Sequence, residues 1–156
     1  MQLRGTDIVV DKVRAKKNII SGSGATASLS EFDSGSLVLL DRAAGIVFTL
    51  PAACAVGTKF EFIATVSVTS NAYKVITGAG TELLIGTLAS VDTDTSDAMA
   101  GFSGNGSTHV AVSANGTTTG GLIGSKWCFE KVTSTQWQVS GTNRGSGTVA
   151  TPFATS

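Results

Sequence analysis

The stretch from Ser36 to Ile63 constrains the fold most, because it holds three apolar runs separated by two turn-like breaks and no helical stripe. Leu37 and Leu39 fall at period-two positions, as do Ile46, Phe48 and Leu50, and then Phe60 and Phe62. Each run can therefore bury one face as a strand while the other meets solvent or a second sheet. Asp41 to Gly45 offers an Asx-type turn with a glycine able to take a positive φ. Pro51 ends the second run, since proline has no N–H to give a ladder.

The same plan recurs downstream. Tyr73, Val75 and Thr77 alternate with Lys74 and Ile76 after a Thr69-Ser70-Asn71 turn, and Leu83 to Val91 reads as strand interrupted by a bulge near Gly86. Asn105-Gly106 and Asn115-Gly116 flank a short run around His109 to Val112 and are hairpin chemistry. Trp127, Phe129 and Lys131 alternate, then Trp137 and Val139, joined by Thr133-Ser134-Thr135; this is a hairpin with one indole on each strand. Short strands with turns every 8 to 12 residues or so predict an all-β chain: a single antiparallel β-sandwich or barrel, jelly-roll-like, with an extended N-terminal arm.

At 156 residues the chain is long enough for one core without disulfides or metal. Eleven basic and eleven acidic residues cancel, so no global field recruits nucleic acid or an anionic membrane. No apolar run reaches transmembrane length, and the N-terminus lacks a signal-peptide core, which predicts synthesis in a cytoplasm and no membrane partner. Cys54 and Cys128 are read as two buried thiols rather than a bridge.

Charge is nevertheless uneven. Arg4, Lys12, Arg14, Lys16 and Lys17 are five of the eleven basic residues, against Asp7 and Asp11 in the same segment. Residues 1–24 therefore read as a basic arm closed by a flexible Ser21-Gly22-Ser23-Gly24 joint, residues 25–143 as the sandwich body, and 144–156 as a mobile tail with Phe153 its one anchor.

Sites of chemistry are sparse. The one histidine, His109, sits in a strand with no nucleophile elbow, and no spacing singles out a carboxylate pair from Glu31, Glu61, Glu82 and Glu130, so no catalytic residue is nominated. Two cysteines and one histidine do not make a zinc site, and the acidic run Asp92 to Asp97 lacks the glycine and distal glutamate of a calcium loop. No cofactor, metal or small-molecule substrate is expected. Tyr73, Trp127 and Trp137 are candidates for stacking on sugars if their rings are exposed.

Leu39-Leu40-Asp41, Ala43-Ala44-Gly45, Thr49-Leu50-Pro51, Gly57 and Phe60-Glu61-Phe62-Ile63 together resemble a segment common in small structural proteins of tailed bacteriophages, including capsid decoration (cement) proteins. The resemblance continues loosely through 69–77, 80–86 and 136–143. It implies a virion structural protein on the capsid exterior, a homotrimer whose partner is the major capsid protein. The basic arm, through Arg4, Lys12, Arg14, Lys16 and Lys17, is the expected capsid contact. The alternative is a receptor- or carbohydrate-binding domain of a tail spike or fibre, using Tyr73, Trp127 or Trp137.

Overall fold

The computed structural model describes residues 17–94 and 98–156. Among them the chain forms twelve strands and one 3₁₀ turn at Glu31–Asp33. The all-β expectation holds, and the strands make two mixed sheets packed as a β-sandwich. Its first half is β1 (Ile19–Ser21), β2 (Thr26–Ser28), β3 (Leu37–Leu40), β4 (Ile46–Thr49), β5 (Lys59–Ala64) and β6 (Tyr73–Ile76). Its second half is β7 (Leu83–Asp92), β8 (Met99–Asn105), β9 (Ala111–Ala114), β10 (Lys126–Thr133), β11 (Gln136–Gly145) and β12 (Phe153–Ala154). One sheet has the order β1-β3-β5-β10-β11-β7-β8, the other β12-β9-β6-β4-β2.

The pairing corrects the expectation of an antiparallel fold. The chain alternates between the sheets over its first six strands, so β1, β3 and β5 lie side by side in parallel, as do β2, β4 and β6. Each turn of this winding gives one strand to each sheet, and the next turn stacks on it. The Asp41 to Gly45 turn thus carries the chain across the sandwich rather than back along a hairpin, with Gly45 at φ +78°. Only after β6 do the antiparallel pairs β7–β8, β6–β9, β5–β10, β10–β11 and β9–β12 appear, with β7 and β11 again parallel. Parallel ladders of this kind are foreign to the antiparallel Greek keys of a jelly roll.

Alternation decides which side chains fill the space between the sheets. Ile46, Phe48, Phe60, Phe62, Tyr73, Val75, Trp127, Phe129, Trp137 and Val139 are all buried. Phe62 meets Phe48 and Phe129 edge to face, with centroids 5.6 and 5.4 Å apart. In β3 the inward pair is Val38 and Leu40, not Leu37 and Leu39. Four consecutive apolar residues leave the inward face open, and the parallel register of Val38 on Phe62 fixes it.

Three loop expectations also change. Ser21 to Gly24 is no free joint: a Cβ on Gly22 would lie 2.0 Å from Ile46 Cδ1, so the crossing is packed against the core and a larger residue there must displace the Ile46 tip. The Asn-Gly turns do not close hairpins. Asn105 Oδ1 accepts from the N–H groups of Ser107, Thr108 and His109, and Asn115 Oδ1 from those of Thr117 and Thr119. The first of these Asx turns passes the chain from one sheet to the other, and the second leads out of β9. Residues 144–156 are not a mobile tail: β11 runs to Gly145, β12 pairs with β9, and Phe153 is 5% exposed, stacked on His109 with centroids 5.6 Å apart.

Candidate functional site

The sugar-stacking expectation fails on burial. Tyr73, Trp127 and Trp137 are each 0% exposed, so no ring face is open to a glycan. Tyr73 Oη donates to Val66 O at 2.9 Å, a core tyrosine with its polar tip satisfied. Nor do the indoles face each other: Trp127 lies opposite Gly141 and Trp137 opposite Lys131.

Trp137 instead belongs to a buried polar cluster. Lys131 Nζ lies 2.5 Å from Glu82 Oε1 and 5.2 Å from the centroid of the Trp137 ring, while Trp137 Nε1 donates to Glu82 Oε2 at 3.1 Å. The Ala53 N–H donates to Glu82 Oε1 at 3.0 Å, from a residue at φ +53°. Burial pushes the Glu82 carboxyl up, but the bonds from Lys131, Ala53 and Trp137 outweigh it and hold the group below the ordinary glutamate range. A carboxylate with three donors in a dry core is a clamp between β7, β10, β11 and the loop after Pro51. His109 likewise has its place, its Nδ1 accepting from Asn105 N–H at 3.2 Å.

Of the basic arm, Arg4, Lys12, Arg14 and Lys16 lie outside the described residues. Lys17 is exposed and enters β1, the edge strand of the larger sheet. Its Nζ is 2.6 Å from Glu61 Oε1, and Lys126 Nζ is 3.4 Å from Glu61 Oε2. The hydrogen bond from Lys17 leads the effects that hold the Glu61 carboxyl below its usual range. Beside this pair the outward side chains Ile19, Leu37, Leu39 and Ile63 form an apolar strip, with Ile19 53% exposed.

The cysteines are both free, Cys54 buried and Cys128 half-buried, with burial leading the effects that push the Cys128 thiol up. Asp92 ends β7 buried, and Gly147 N–H donates to Asp94 Oδ2, while residues 95–97 lie outside the described set. Among the described residues no three metal-ligating side chains converge.

Two surface features escaped the sequence. Phe32, in the 3₁₀ turn, is 99% exposed. On the outer face of the smaller sheet, where β2, β4 and β6 begin, an open trough of about 490 Å³ is lined by Ala25, Ala44, Val47 and Ala72, with Arg42 and Lys74. Arg42 is held by its Nη1, which donates to Gly45 O at 2.5 Å, and Lys74 Nζ donates to Ser156 O at 3.0 Å. The phenylalanine could be noticed in sequence only as an aromatic residue in a polar turn. The trough exists only because parallel stacking brings the starts of three separated strands together.

Comparison with known proteins gives no match to a family model, to a curated protein or to a solved structure.

Proposed function

We propose that this chain is a virion structural protein that decorates and reinforces a tailed-phage capsid from outside, binding major capsid protein subunits as a homotrimer. The observation that carries the reading is where the basic arm joins the body. Lys17 leads into β1, whose outer backbone edge is unpaired among the described residues and which borders the Ile19, Leu37, Leu39 and Ile63 strip. The segment that carries Arg4, Lys12, Arg14 and Lys16 thus joins the body at an open edge and an apolar strip, a combination suited to an extended or strand-edge surface on a large partner. The residues that resemble phage structural proteins build β3, β4 and β5, three successive strands of the winding that begins at β1. On this reading the chain acts mechanically rather than as an enzyme. Trimerisation holds three arms together and raises the effective concentration of the second and third contacts, so weak individual contacts reinforce a shell.

Co-sedimentation with mature empty capsids of the phage that carries the chain tests this. The comparison is between the full chain and a chain lacking residues 1–16, a cut that spares Lys17 and β1. Saturable pelleting of the full chain and loss with the shortened one is the expected result. Equal binding by both would keep the capsid reading and remove the arm from it, and no binding by either would end the reading.

A further inference from the structure

Of three exposed apolar side chains, Phe32 and Val56 belong to loops and Val132 to the end of β10, and hydrogen bonds tie these segments together at one end of the sandwich. Ala55 N–H donates to Glu31 Oε1 at 3.0 Å, Lys59 N–H to Ser34 Oγ at 3.1 Å, and Gly57 N–H to Lys131 O at 2.8 Å. The turn carrying Phe32 is closed on itself by Asp33, whose Oδ2 accepts from both the N–H and the hydroxyl of Ser30 at 2.8 Å. A turn with a braced backbone thus carries an aromatic residue out into solvent between two carboxylates, Glu31 and Asp33. Because the backbone is already ordered, a partner that covers the ring has only its side-chain rotamers to restrict.

The trough lies at the other end. Because Thr26, Val47 and Lys74 stand in register at the starts of three parallel strands, while the Phe32 turn follows the far end of β2, knob and hollow lie toward opposite ends of the sandwich. The hollow has a small-residue apolar floor, two cations and no carboxylate in its lining. The knob has one large apolar group and two anions. We propose that the Glu31-Phe32-Asp33 turn of one copy of this chain seats in the trough of a second copy. Phe32 then covers Ala25, Ala44, Val47 and Ala72, and Glu31 and Asp33 face Arg42 and Lys74. Since the two surfaces are different parts of the molecule, the contact is heterologous: copies join head to tail, closing a ring or extending a row. The inference does not need the capsid reading, and its test contains no capsid.

Sedimentation velocity of the full chain over a concentration series is the test, with Phe32→Ala to blunt the knob and Val47→Trp to fill the hollow. Phe32 is almost wholly exposed and Val47 points away from the core, so both variants should fold; Lys74→Glu replaces Val47→Trp if the latter does not. The native chain should self-associate, and each variant alone should do so at least roughly 30-fold more weakly, as for a central aromatic anchor. Mixing the two variants should then give one-to-one dimers and nothing larger, because the Phe32→Ala chain keeps its hollow and the trough variant keeps its knob. A native chain that stays monomeric to about 1 mM overturns the proposal. So does assembly indifferent to Phe32→Ala, or a pair of disabled variants that fail to pair with each other.

Discussion

Glu82 and Lys131 are among the few charged residues placed where water does not reach, with side-chain exposures of 4% and 0%. Taking two charges out of water is costly, and the cost is offset here because Glu82 also accepts from the Ala53 N–H and the Trp137 indole. Glu82→Ala should therefore lower stability by about 3–5 kcal/mol in chemical denaturation, since it strands the Lys131 ammonium over the Trp137 ring and leaves two donors without an acceptor. A loss below about 1 kcal/mol would mean that the ammonium reaches water in the variant. The pH dependence follows from the depressed carboxyl. The unfolded chain takes up the proton first, so the stability Glu82 confers is complete above the ordinary glutamate value of about 4.3 and is lost as pH falls through the lower folded value. The denaturation midpoint should decline on acidification below about pH 4, and less steeply in Glu82→Gln. The half-buried Glu61, paired with the exposed Lys17 and Lys126, acts in the same direction but weakly. Half of this cluster was legible in the sequence: Lys131 stands in the inward register of Trp127 and Phe129, and that is where it points. Its partner was not, because 49 residues separate the two and no local pattern encodes a contact at that distance.

Among the elements, β12 has the least sequence signal and a definite structural place. Two residues are too few for any periodicity, and the surrounding Gly, Ser and Thr read as a tail. What docks it is Phe153, buried against His109 beside the buried Pro152, with Ala154 O accepting from Val110 N–H at 2.9 Å and Pro152 O from Ser113 N–H at 2.7 Å. Phe153→Ala should cost about 3 kcal/mol in equilibrium unfolding, the scale of a large-to-small change in a core. A change near zero would mean that Phe153 adds nothing to the core in solution. The Trp hairpin shows the opposite case. Its strands, its turn at Thr133 to Thr135 and the inward faces of both Trp residues were all readable, because alternation and turn chemistry agree over about ten residues at a time. The exposure of those rings was not, since an inward-facing position looks the same in sequence whether or not a second sheet covers it.

For the whole molecule, the sequence expresses strands and their faces but not their neighbours. A period-two run has the same form whether it pairs with the next strand or with the next but one, and the six-strand winding of β1 to β6 takes the second option throughout. The winding also grades stability across the sandwich. In the larger sheet β5, β10, β11 and β7 each have a strand on both sides, and β7 and β11 pair over ten residues. At the other limit, β1 and β2 are sheet edges of three residues with one neighbour each, and their outward-facing residues are mostly exposed. Opening the first turn breaks two short ladders, whereas opening the middle of the sheet exposes Phe60, Phe62, Phe129 and Trp137 together. Native-state hydrogen exchange should therefore show β1 and β2 amides exchanging by local opening with little dependence on denaturant. Amides of β5, β7, β10 and β11 should converge on the global unfolding free energy as denaturant is added. Protection in β1 equal to that in β10 would mean that the outer edge of the larger sheet is covered in solution. The chain lacking residues 1–16 separates the two ways this can happen: protection lost on that truncation comes from the arm folding back over β1, and protection that persists but falls on dilution comes from a second copy.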